Sequence, residues 1–231
     1  MKKTYLAAGA VLLLGSSAGV AGTTSLSMAA SAIPGLCNTG QTVGCGATAA
    51  PGGVDQNWTL TSSVSNTAYD PASVNGAWLA NDSTSLWLTP SADGNQSYDP
   101  STPGSYSYSL NFDLTGFDPA SASFAGRFAA DNLVNSIMLN GVSLGASGGT
   151  FNSWTNFAAS SGFVAGMNTL TFDVTNLAQA SGNPTGLRVE FSNSSVAAVP
   201  EPAVWSLMII GFGLIGGSLR RRSPKRLAFA A

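Results

Sequence analysis

Gly104-Ser105-Tyr106-Ser107-Tyr108-Ser109-Leu110-Asn111-Phe112-Asp113 decides the fold. Tyr106, Tyr108, Leu110 and Phe112 take every second position, and Ser105, Ser107, Ser109 and Asn111 fall between them. Successive side chains of a strand point to opposite faces, so this pattern predicts a strand with one face in a core and the other toward water.

The pattern recurs downstream. Phe124 and Phe128 share a face, which turns Arg127 to the opposite one. Ile137 and Leu139 lead into Asn140-Gly141, a strong hairpin signal, with Val142 and Leu144 beyond it. Leu170, Phe172 and Val174 alternate with Thr169, Thr171 and Asp173, and Leu187, Val189 and Phe191 alternate with Arg188 and Glu190. No amphipathic helical period appears between Trp58 and Ser192, and Asp-Pro at 70, 99 and 118 and Asn-Pro at 183 mark loops. About eight strands are expected in residues 56–195, an all-β chain segment forming a single β-sandwich of jelly-roll type. Residues 22–55, rich in Ala, Gly, Ser and Thr, read as a flexible leader around a Cys37–Cys45 loop. Two thiols without histidine make a poor metal site, and a disulfide is expected in an exported chain.

The ends carry transport signals. Lys2 and Lys3 precede an apolar run from Leu6 to Leu14, and Gly19-Val20-Ala21 offers a cleavage site, so residues 1–21 read as a signal peptide. At the other end Pro200-Glu201-Pro202 precedes an uncharged run over 203–219, and Arg220, Arg221, Arg222, Lys225 and Arg226 follow within 220–226. The run is at the short end of what spans a bilayer, Trp205 suits its interface, and the basic cluster suits the cytoplasmic side. A C-terminal transmembrane helix is expected, with a permanent membrane anchor as one alternative.

Pro200, Glu201 and Pro202, then Trp205, then the Met208–Ile210 run with Gly211, Phe212 and Gly213, then Arg220–Arg222, together resemble the PEP-CTERM sorting signal of exported bacterial proteins, over about residues 199–226. The resemblance implies recognition by exosortase, a membrane cysteine protease that cuts near Pro-Glu-Pro, and release to the cell surface or extracellular polymer matrix. A second resemblance rests on Trp78 to Pro90, on Phe112-Asp113-Leu114-Thr115-Gly116-Phe117-Asp118-Pro119, on Gly126 to Asn132, and on Gly162 to Phe172. These stretches are similar to exported domains with a galactose-binding-like β-sandwich, a fold shared with many carbohydrate-binding modules.

Charge narrows the chemistry. Between Gly22 and Val199 the only cations are Arg127 and Arg188 against ten acids, a net charge of −8 that the whole-chain value of −2 conceals. So acidic a surface argues against nucleic acid and anionic polymers as partners. The chain has no histidine, and this region has no lysine. That removes Ser-His-Asp and Cys-His nucleophile systems, His-ligated zinc and lysine Schiff bases. A carboxylate-dependent glycan hydrolase is the remaining enzymatic alternative. No cofactor is expected; Asp131 and Asn132 are candidate oxygen donors to a sugar or to calcium, which needs six to eight oxygens. Arg127 and Arg188 are candidate sugar or carboxylate contacts, with pairing to Glu190 or Asp131 as the competing role. Trp58, Trp78, Trp87 and Trp154 are candidate stacking surfaces, with the core as their competing place; alternation around Trp87 predicts that one of its two faces is less buried. The leading expectation is a non-enzymatic surface or matrix protein that binds exopolysaccharide or another glycan, or has a structural role there.

Overall fold

The computed structural model describes residues 32–199 and 202–220. The expected signal peptide, and Pro200, Glu201, Arg221, Arg222, Lys225 and Arg226, lie outside the described residues. Along the chain come β1 (Gly53–Val54), β2 (Trp58–Ser62), β3 (Tyr69–Asp70), β4 (Gly104–Asp113) and β5 (Phe117–Asp131). After these come β6 (Leu133–Leu139), β7 (Val142–Ser143), β8 (Thr155–Ala159), β9 (Met167–Asn176), β10 (Gly186–Ala198) and the helix α1 (Pro202–Arg220).

Two antiparallel sheets form the sandwich, a five-stranded one in the order β2-β4-β9-β6-β7 and a three-stranded one in the order β10-β5-β8; β1 and β3 pair separately. The deciding stretch is β4, whose Tyr106, Tyr108, Leu110 and Phe112 are all buried. Between the sheets Phe172 of β9 meets Phe128 of β5 at 5.8 Å and Phe157 of β8 at 5.2 Å, edge to face, an arrangement that favours the rings' quadrupoles. The Asn140-Gly141 turn joins β6 to β7 with φ of 53° and 80°, the left-handed pair that a two-residue hairpin requires.

Two expectations need correction. Residues 32–55 are not a flexible leader: Ile33 and Leu36 enter the main core, and Thr39 exchanges bonds with Val189 on the edge of β10. The few apolar groups there suffice because the Cys37–Cys45 disulfide and the exposed edge of β10 give the segment a place to dock. Likewise, both faces around Trp87 are buried. Leu88 bridges to Leu187 and packs into the main core, while Trp87 packs on the far side of the sheet with Trp78 and Ala129. The strand-like segment lies between two apolar layers, so alternation there separates two cores and not core from water.

Candidate ligand cleft and sorting segment

The outer face of the three-stranded sheet carries Arg127, Ala129 and Asp131 from β5, and Gly186, Arg188 and Glu190 from β10. Register pairs Arg127 with Glu190, Ala129 with Arg188 and Asp131 with Gly186. Residues 74–91 fold over this face. A Cβ at Gly186 would come within 2.8 Å of the Leu88 carbonyl and 2.9 Å of the Trp78 ring, so glycine is what lets the indole lie on the sheet. Trp78 and Trp87 stack at 4.3 Å, and Trp87 Nε1 donates to the Leu79 carbonyl at 2.7 Å.

Beneath this cover lies an ion network. Arg188 is only 1% exposed. Its Nε donates to Ser85 Oγ at 2.6 Å, its Nη1 donates to the Ala80 carbonyl, and its Nη2 reaches Asp82 Oδ2 at 2.9 Å and Glu190 Oε1 at 3.4 Å. Ser85 Oγ passes the bond on to Glu190 Oε1 at 2.8 Å. Arg127 is half-exposed and holds Glu190 Oε2 through Nε at 2.8 Å and Nη2 at 2.6 Å. Trp154 has the two guanidinium carbons 4.3 and 5.0 Å from its ring centroid. Burial opposes ionisation of Asp82, but the Thr84 amide and the Arg188 charge outweigh it and hold that carboxyl below its ordinary value. These contacts occupy both arginines with protein carboxylates.

At the end of β5 the same cover leaves a cleft of about 180 Å³, lined by Asn75, Trp78, Asp131, Asn132, Phe151, Gln179 and Asn183 among others. Trp78 Nε1 donates to Asp131 Oδ2 at 2.8 Å, and Thr185 Oγ1 donates to the Asp131 carbonyl at 2.6 Å. Burial pushes the Asp131 carboxyl up to about 6, with the indole N–H pulling the other way. Asn132 Oδ1 accepts the Leu177 amide at 2.7 Å, and Asn183 Nδ2 donates to the carbonyls of Tyr98 and Leu177, which fixes these amides at the rim.

The structure thus brings Asp131 and Asn132 together in the cleft and puts Arg127 and Arg188 in the neighbouring network. Trp58 is in the main core, Trp78 and Trp87 are the part of the cover that packs on the sheet, and Trp154 packs against them. Asn75, Phe151, Gln179 and Asn183 escaped the sequence reading. Asn75-Gly76 and Asn183-Pro184 are turn signals beside strand ends, where sites concentrate, but nothing local says that the two turns meet. Among the described residues no group of three or more His, Cys, Asp or Glu side chains could hold a metal ion.

Trp205, Gly211, Phe212, Gly213 and Arg220 of the sorting stretch lie on α1. Residues 198–222 match the PEP-CTERM protein-sorting motif. The chain carries a PEP-CTERM sorting motif. The motif implies processing by exosortase, a membrane protease, with export and delivery to the cell surface. No curated protein matches the chain. Among the described residues no helix is long and apolar enough to cross a membrane, so the expected transmembrane helix is not carried by the structure. Four glycines and two serines dilute the hydropathy of α1, which is 19 residues long. Its large apolar side chains from Trp205 to Leu219 are nevertheless exposed.

Proposed function

We propose that this PEP-CTERM protein is a non-enzymatic surface or matrix protein whose sandwich, a galactose-binding-like module, holds one neutral sugar unit of an extracellular polymer in the Asp131 cleft. The observation that carries this reading is the convergence of one carboxylate and several amides beside the edges of Trp78 and Phe151. Sugar rings present hydroxyls around an apolar face, and such a mixture of few polar groups and aromatic edges fits them. The acidic charge of the domain disfavours anionic polymers.

Asp131 is the one carboxylate lining the cleft among the described residues, which favours binding over the two-carboxylate chemistry of glycoside hydrolysis. Asp131 Oδ2 and Asn132 Oδ1 already accept protein N–H groups, a donor set short of what calcium requires. Before processing, the sorting segment holds the chain at the membrane transiently, and the exposed apolar side chains of α1 support that role.

Glycan-array and calorimetric titration of the processed protein test the binding. Neutral saccharides should be retained, and Asp131→Asn should weaken them about tenfold while leaving the melting temperature at or above that of the parent. Retention of no neutral glycan would remove the binding role and leave a structural one.

A further inference from the structure

The sorting motif begins inside the folded domain. The matched segment starts at residue 198, yet β10 runs to Ala198 and Val199 donates its N–H to the Gly116 carbonyl at 2.9 Å. Helix α1 starts at Pro202. Only positions 200 and 201 therefore separate the last residue bonded into the sandwich from the first helical one. A protease takes its substrate as an extended chain on both sides of the bond it cuts, and it recognises that chain largely through backbone N–H and C=O groups. Groups already paired within a sheet are not available for this.

The end of β10 is held by few contacts. Ala198 lies opposite Phe117 and Ala197 opposite Asp118, after a register shift that follows Ser195. The Ala197 amide donates to Ser121 Oγ at 2.8 Å. Val199 is 51% exposed, whereas Val196 is fully buried in the main core. The strand thus has a firm anchor at Val196 and a three-residue end beyond it with little apolar burial, the kind of segment that opens locally without global unfolding.

We propose that Ala197, Ala198 and Val199 form part of the segment taken by the sorting protease, and that they leave β5 and the Gly116 turn before the cut, with Val196 as the stop. This rests on the sorting reading above. The folded sandwich then governs its own release: the rate of processing follows the local opening of its last strand, and the opened segment closes back once the chain is free.

The test uses the full chain produced together with its exosortase, with pulse-chase and mass spectrometry to follow shortening. Ala197→Cys with Asp118→Cys, which pairs positions facing each other across the ladder, should slow processing about tenfold. Asp118→Cys alone should be processed at the parent rate, and a spacer of about six Gly and Ser residues after Val199 should restore the cross-linked chain to that rate. Restoration by the spacer separates a held strand from a misfolded domain. Ser121→Ala, which removes the hydroxyl on the Ala197 amide, should speed processing. Equal rates in all these forms would overturn the inference alone. A parent chain that is never shortened would overturn the sorting reading, and the inference with it.

Discussion

The two outer faces of the sandwich have opposite fates. On the five-stranded sheet the outward side chains of β4 and β9 are Ser, Thr, Asn and Asp, apart from Met167 at the start of β9, and several satisfy one another in short pairs. Ser109 meets Thr171 at 3.0 Å, Thr169 donates to Asn111 at 2.7 Å, and Asp173 accepts from Ser107 at 2.6 Å and Ser136 at 2.8 Å. On the three-stranded sheet, at the end where β5 and β10 pair, the outward side chains are Arg127, Ala129, Asp131, Arg188 and Glu190, and residues 74–91 cover all of them but the half-exposed Arg127. The contrast locates where a site can arise. An open face has hydroxyls that water serves equally well. A covered face has charges that must be satisfied by protein, and the end of its cover leaves a cleft.

Breaking the covered face should have the largest effect. Arg188→Ala removes the partner of Asp82, Ser85, Glu190 and the Ala80 carbonyl at once. Glu190 keeps Arg127 and Asp82 keeps water, so the cost comes from the emptied guanidinium site and from Ser85 and the Ala80 carbonyl losing their donor, about 3 kcal/mol. Denaturant unfolding should show that loss. A shift below about 1 kcal/mol would mean that the cover is not a packed layer. Ser85→Ala is a smaller version of the same break: it leaves Arg188 Nε and Glu190 Oε1 each without the hydroxyl and should cost about 2 kcal/mol.

Acidity tests the covered end of the same face. Asp131 holds its proton up to about pH 6 in the fold, against an ordinary value of 3.8. The native state therefore binds more protons than the unfolded one in this window. The stability from Asp131 is fully present below the ordinary value and is lost as pH rises through about 6, on the order of 2 kcal/mol in all. The Asp70 carboxyl, raised by burial and by the charge of neighbouring Asp55, adds to the loss in the same direction. Unfolding midpoints measured across acid to neutral pH should fall, and Asp131→Asn should flatten part of the slope. A slope unchanged in that variant would place Asp131 outside the buried environment described.

Much of this architecture was legible in the sequence, and the reason is the period of two. Tyr106 to Phe112, Leu170 to Val174 and Leu187 to Phe191 each announce a strand and its core face, and Asn140-Gly141 announces its own hairpin. What period cannot tell is whether a polar face meets water or a second layer. Arg188 and Glu190 alternate with apolar residues just as Thr169 and Thr171 do, yet they are 1% and 4% exposed. The cover comes from a stretch some hundred residues earlier, through contacts such as Ser85 to Glu190 and Trp78 to Asp131. Long-range pairings of that kind leave no local pattern. For the same reason Asp131 and Asn132 could be named as candidates, while Asn75 and Gln179, which share their cleft, could not.

The smallest effect is also the sharpest control. Ser109→Ala makes on the open face the same chemical change that Ser85→Ala makes on the covered one, the deletion of a single hydroxyl. Ser109 Oγ shares its bond with Thr171 Oγ1 on a sheet surface where water replaces either partner, so the expected loss is about 0.5 kcal/mol or less. Ser85 lies between a guanidinium and a carboxylate that water does not reach. If the two variants lost equal stability, the distinction between the faces would collapse, because burial and not hydroxyl chemistry is what separates them. A several-fold difference between two otherwise identical substitutions would show that residues 74–91 change what the sheet beneath them must satisfy, and would tie the cleft at Asp131 to that cover.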